Sequence, residues 1–190
     1  MSGNILQATR KSKGMSQTEL ARRSSTFQAN ISSIESGLTD PGISTLEQCL
    51  STLGYSLIAL PTNKPSVAHF TLSIAKAIAD KKETKAFRLF IQLNDNLTAV
   101  TLDICLALCI APPPLTGNPR YDALIAALVE FHLNLNSLPI PAWVKESNRK
   151  LNTRWIVDPY VTSEASILKQ TPAAFLRHNV LINESELESR

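Results

Sequence analysis

GMSQTELARRSSTFQANISSIESG, residues Gly14 to Gly37, decides how the first part of the chain folds. Ser16-x-x-Glu19 reads as a capping box: the serine hydroxyl accepts from the Glu19 amide, and the glutamate side chain returns the bond. Leu20 and Ala21 then face inward, and Arg22 and Arg23 sit in a last turn whose dipole favours cations. Ser24-Ser25-Thr26 breaks the helix. A second short helix follows, with Ile31 and Ile34 as its buried edge and Gly37 as a left-handed cap. The stretch is two short helices joined by a polar turn.

The reading extends outward on both sides. Residues 4–12 form a helix with Ile5, Leu6 and Thr9 on one side, ended by Gly14. Beyond Asp40-Pro41-Gly42, Ser44 caps another helix whose stripe is Leu46, Cys49, Leu50 and Leu53, ending at Gly54. Tyr55 to Leu60 is apolar, β-prone and stopped by Pro61, so it reads as a strand. A lone strand needs a partner, and within the chain the Val180 to Ile182 run is the candidate. Pro61 to Ser66 is a linker signal. The segments on its two sides differ in texture, dividing the chain into residues 1–60 and 67–190.

The whole chain has 190 residues, 44% hydrophobic and 18% charged, with a net charge of +3. That length fits one domain or two small ones, and the apolar fraction argues against disorder. The charged fraction lies below the usual ~25%, which suits a surface partly covered by a partner. No apolar run approaches the ~18 residues of a membrane span, and the N-terminus lacks an apolar leader core. The expected location is the cytoplasm. The cysteines are Cys49, Cys105 and Cys109. An odd number without C-x-x-C supports neither a disulfide framework nor a zinc ribbon. His69, His132 and His178 stand far apart, and no nucleophile elbow, phosphate loop or dinucleotide fingerprint occurs. The expectation is no enzyme, no metal and no cofactor. Arg177-His178 hints at phosphate handling, but a helix C-terminus explains both cations.

The Gly14 to Gly37 stretch resembles the helix-turn-helix of the Cro/repressor or XRE family. Gly14, Ser16-Gln17, Leu20-Ala21, Ile31-Ser32, Ile34-Glu35 and Gly37 fall where that family places such residues. The resemblance runs on through Gly54. It implies a lambda-repressor-like domain in which the helix from Ser16 to Arg23 supports a recognition helix from Phe27 to Ser36 in the major groove. Gln28 would then read adenine through its amide, with Asn30 and Ser33 beside it and Phe27 against a thymine methyl. Gln17 would hold a phosphate, and Arg10, Lys11, Lys13, Arg22 and Arg23 would add backbone contacts. Two features depart from the family. Ser25 stands where the turn more often has glycine, and the recognition helix has no Lys or Arg. Nonspecific affinity should therefore be weak. The resemblance also implies that the strand after the fourth helix pairs across a two-fold dimer. Such a homodimer suits a palindromic operator in double-stranded DNA. A helix-turn-helix used only for protein contact is the bland alternative.

Residues 67–190 read as helices over 67–80, 84–94, 98–111 and 118–135. The third is apolar nearly all round and so is central or at an interface. Pro112 to Pro114 end it, and Asn118-Pro119 start the next. Thr171-Pro172 begins another helix ended by His178-Asn179. Val180 to Ile182 is an extended run, and Asn183 caps a last turn. PAWV (Pro141 to Val144), the Trp155-Ile-Val157 segment and PAAFLRHNVLINESEL (Pro172 to Leu187) resemble a group of bacterial XRE-type proteins encoded beside nucleotidyltransferase-like proteins and regarded as antitoxins. Trp143, Trp155, Tyr160 and Phe175 lie in a proline-broken stretch and are candidate partner anchors, or else they cover the end of a helical core.

The expected protein is mainly all-α. An N-terminal helix-turn-helix with a short dimerising strand precedes a helical C-terminal domain. The expected function is sequence-specific repression of its own operon, in a toxin–antitoxin pair whose nucleotidyltransferase-like toxin binds residues 67–190. The alternatives are a ligand-responsive regulator with a small-molecule pocket in the helical domain, and a protein-only adaptor.

Overall fold

The computed structural model describes residues 2–160 and 163–187. It is mainly helical, with ten α-helices and one two-stranded sheet among the described residues. The chain divides into two compact units, Met1–Asn63 with Ala111–Pro114, and Lys64–Ile110 with Leu115–Arg190.

The first unit holds α1 (Ser2–Ser12), α2 (Gln17–Arg23), α3 (Gln28–Glu35) and α4 (Ile43–Thr52). Leu6, Leu20, Ala21, Ile31, Ile34, Cys49, Leu50 and Leu53 form its core. Each large aliphatic side chain buried there contributes about 1.5–3 kcal/mol. Ser16 caps α2, its hydroxyl accepting from the Glu19 amide at 3.1 Å. Only half of the expected capping box forms: the Glu19 carboxylate takes Arg22 and Arg23 instead. After α2 the chain reverses through Ser25 at φ +51°. Serine tolerates this left-handed geometry at a steric cost glycine avoids. Gly42, not Ser44, is the N-cap of α4, and no side chain caps that helix. It starts two residues earlier than Ser44 as a cap would place it.

Tyr55 to Leu60 forms no strand within this chain, and Ser56 to Ala59 are exposed. Pairing with Val180 to Ile182 is overturned. Those residues belong to β2 (Val180–Leu181), which pairs in parallel with β1 (Trp155–Ile156), Trp155 opposite Val180.

The second unit holds α5 (Val67–Ala79), α6 (Glu83–Thr98), α7 (Leu102–Ile110), α8 (Pro119–Leu135), α9 (Glu164–Gln170) and α10 (Ala173–Arg177). Asn118 caps α8 by accepting from the Arg120 amide at 3.0 Å, with Pro119 at the first helical position. Every residue from Tyr121 to Glu130 is buried. This is the central helix. The more apolar α7 is less enclosed, with Leu102 and Ile110 each about half exposed.

Two expected partner anchors are core residues. Trp143 is 3% exposed and its indole N–H donates to the Cys109 carbonyl at 2.9 Å. Phe175 is fully buried, its ring 5.9 Å from that of Phe131. Thr171 does not cap α10. Its hydroxyl donates to the Ile167 carbonyl at the end of α9 and accepts from the Ile182 amide, so Pro172 stands as N-cap of α10.

Candidate nucleic-acid interface

The helix expected from the sequence to enter the major groove is α3. Its N-terminal end presents Phe27, 77% exposed, followed by the exposed residues Gln28, Ala29 and Asn30. The Phe27 side chain makes no capping bond, so it is free for an apolar contact. Asn30 donates to the Thr26 hydroxyl at 3.2 Å. Ser33 is half-buried, one turn further along.

Beneath this surface lies a row of hydrogen bonds with one polarity. Glu35 is 3% exposed, and Arg10 only 7%. The Arg10 Nε and one terminal nitrogen donate to the two Glu35 oxygens at 2.6 and 2.8 Å. The other terminal nitrogen donates to the Met15 carbonyl at 2.6 Å. Burial pushes the Glu35 carboxyl up, but the bonds from Arg10 and Gln17 and the Arg10 charge outweigh it, holding it below the usual carboxylate range. An ionised carboxylate only accepts. It takes the Gln17 Nε2–H at 2.9 Å, which turns the Gln17 oxygen outward. That oxygen accepts from Gln28 Nε2 at 2.9 Å. Gln28 is left with one N–H and its own Oε1, a donor beside an acceptor. This matches the acceptor N7 and donor N6 of adenine.

The expected cationic contacts sort differently. Arg10 is withdrawn as a phosphate contact, because it is buried and each of its three guanidinium nitrogens already donates inside the unit. Arg22 and Arg23 are exposed but share one carboxylate, Glu19, whose pKa their bonds pull down to about 2. Lys13 is exposed, its ammonium 5.4 Å from the centre of the Tyr55 ring. Lys11 reaches Gln7 at 3.4 Å. Gln17 lies at the start of α2 but is committed to Glu35 and Gln28. The geometry makes it a positioning residue for the Gln28 amide. The structural role of Glu35 was not foreseen, since nothing local in sequence links it to Arg10.

Residues 6–60 match the helix-turn-helix family model. The first unit is therefore a helix-turn-helix domain of a sequence-specific DNA-binding regulator. No curated protein and no solved structure matches the chain. The rest of the chain lies outside the family match.

In the second unit, Trp155 is half-buried, its ring 6.5 Å from Tyr121 and 5.4 Å from the Arg120 guanidinium. Tyr160 is 88% exposed. These two remain accessible, unlike Trp143 and Phe175. Arg177 and His178 both bond Glu130, at 2.7 and 2.8 Å, with His178 also bonding the Arg149 carbonyl. That arrangement ties α10 to α8. A cleft of about 730 Å³ is lined by Asn94, Leu102, Cys105, Phe131, His132, Asn136 and Leu187, among others. Burial pulls the His132 pKa down to about 4, so the ring is neutral and its Nε2–H donates to Asn94 at 2.8 Å. Among the described residues no three His, Cys, Asp or Glu converge on a metal-sized site. No helix among them is long and apolar enough to cross a membrane.

Proposed function

We propose that the chain is a transcriptional repressor that reads its operator through Gln28, assisted by Phe27, Asn30 and Ser33, and that it is the antitoxin of a toxin–antitoxin pair. The observation that carries base reading is the Gln17–Gln28 bond at 2.9 Å, which presents a donor and an acceptor at the exposed end of α3. Substituting Gln28→Ala on the full chain should weaken binding to a duplex selected from random sequence by about 1–3 kcal/mol. Fluorescence anisotropy reads the loss. An unchanged affinity on the selected site would remove Gln28 from the readout.

The protein acts as a homodimer in this reading. Ser56 to Ala59 are exposed and form no strand within the single chain, with Ile58 77% exposed. A row of open backbone groups is a template for pairing with a second copy. Two copies then meet two half-sites about 34 Å apart.

Residues 67–190 bind the toxin, a nucleotidyltransferase-like protein, through the accessible aromatics Trp155 and Tyr160. The support is the resemblance of the C-terminal segments, the exposure of Tyr160 and the half-buried position of Trp155. A tagged full-length chain recovered from its native cells should carry a stoichiometric protein encoded next to it. Recovery of the chain with only itself would favour the second reading, a ligand-responsive regulator. The specific observation behind that reading is the cleft of about 730 Å³ with polar groups from Asn94, His132 and Asn136.

A further inference from the structure

The helix-turn-helix has few cations left to meet phosphate. Arg10 is internal, Arg22 and Arg23 share Glu19, and no Lys or Arg occurs from Ser24 to Asn63. Phosphate neutralisation supplies nearly all nonspecific DNA affinity. The chain must find that charge elsewhere or bind weakly.

Most arginines of the second unit are occupied. Arg149 is buried, Arg154 pairs with Glu164, Arg177 pairs with Glu130, and Arg120 lies over Trp155. One corner differs. Where α5 turns into α6 the sequence is DKKETKAFR, Asp80 to Arg88, with four cations and two carboxylates. Asp80 takes Lys82 at 3.3 Å. Among the described residues no carboxylate pairs with Lys81, Lys85 or Arg88. All three are exposed. Lys85, Arg88 and Gln92 follow at helical spacing along the outer side of α6, and with Lys81 and Leu89 they line a shallow groove of about 520 Å³. The opposite side of α6 is anchored in the core through Ala86, Phe90, Leu93 and Leu97, so the charged side is held outward. Like charges at this spacing repel, and a polyanion relieves that repulsion. Lys81 also holds φ +57°, a left-handed position that glycine fills more readily.

We infer that the stripe Lys81, Lys85 and Arg88 is a second contact surface for the phosphate backbone of double-stranded DNA. This rests on the reading of the chain as a DNA-binding protein. The stripe carries charge and no base-reading amide of its own except Gln92, so it adds affinity without sequence preference.

The test compares the full-length chain with its K81Q/K85Q/R88Q variant on a mixed-sequence duplex of about 30 base pairs. Binding is measured between about 50 and 200 mM salt. The substitutions lie on an exposed face, and matching unfolding curves confirm an intact fold. The slope of log K against log salt should fall in magnitude by about 2 to 3 in the variant, near 0.9 per lost phosphate contact. Q28A, run beside it, should keep the wild-type slope. If the wild type binds and the variant keeps its slope, the inference is overturned, as it would be if the stripe served an acidic protein surface. If the wild type binds no duplex at all, the DNA-binding reading itself fails.

Discussion

Replacing Glu35 by alanine should destabilise the first unit by about 3–5 kcal/mol. The carboxylate side chain is 1% exposed and that of Arg10 9% exposed. Removing Glu35 leaves a buried guanidinium with only the Met15 carbonyl as partner, and such a charge is costly in a low-dielectric interior. Denaturant unfolding measures the loss. The double change Arg10→Met with Glu35→Leu should recover much of it, because an apolar pair of similar volume removes both charges together. A loss below about 1 kcal/mol for the single change would place the pair in solvent, where exposed ion pairs contribute that little.

The same pair sets an acid sensitivity. Glu35 has a folded pKa below its ordinary value. Its contribution is therefore complete above the unfolded carboxylate pKa of about 4.3 and fades as pH falls through the lower folded value. The stability advantage of wild type over Glu35→Gln should shrink as pH drops below about 4. An advantage that stayed constant across that range would mean Glu35 does not titrate with folding.

Substituting Gly3→Ala is the second large effect. A Cβ at Gly3 would lie 1.8 Å from the Ile34 carbonyl oxygen and 2.7 Å from its carbon. Both are backbone atoms inside α3, so neither can swing aside as a side chain would. Helix α1 must move off α3, and the Arg10–Glu35 bonds span the same two helices. The expected loss is about 3 kcal/mol, at the upper end for overpacking. Gly14→Ala is the comparison. Gly14 sits at φ +63° with open space around its Cα, so the cost there is the left-handed strain alone, about 1 kcal/mol. Equal effects at the two positions would mean that the first turn of α1 does not rest on α3.

What could be read in advance was local. Ser16 as a cap, the Ile31 and Ile34 edge, Gly37 and the Asn118-Pro119 start all follow from chemistry within four residues, and all are present. Misreadings arose where a distant partner decides. Arg10 looked like surface charge because its partner Glu35 is 25 positions away. Glu19 was expected to return the capping bond, but two arginines from the next turn take its carboxylate instead. Trp143 and Phe175 were ambiguous by type, and only packing against Cys109 and Phe131 makes them core. Tyr55 to Leu60 has strand-like composition, but a strand also needs a neighbour, which one chain does not supply. Thr171 looked like a cap by its neighbour Pro172, while its hydroxyl answers to Ile167 and Ile182.

Glu35 also reaches the surface it never touches. Because it only accepts, it sets the direction of every bond from Arg10 through Gln17 to Gln28. An amide in its place has both a donor and an acceptor, and the row could then run the other way, with Gln28 showing its groups in reverse order. The pattern of donors and acceptors that α3 presents is thus set partly in the interior. In the proposed reading of DNA, a shift in operator preference can begin with a buried substitution while every exposed residue of α3 stays the same.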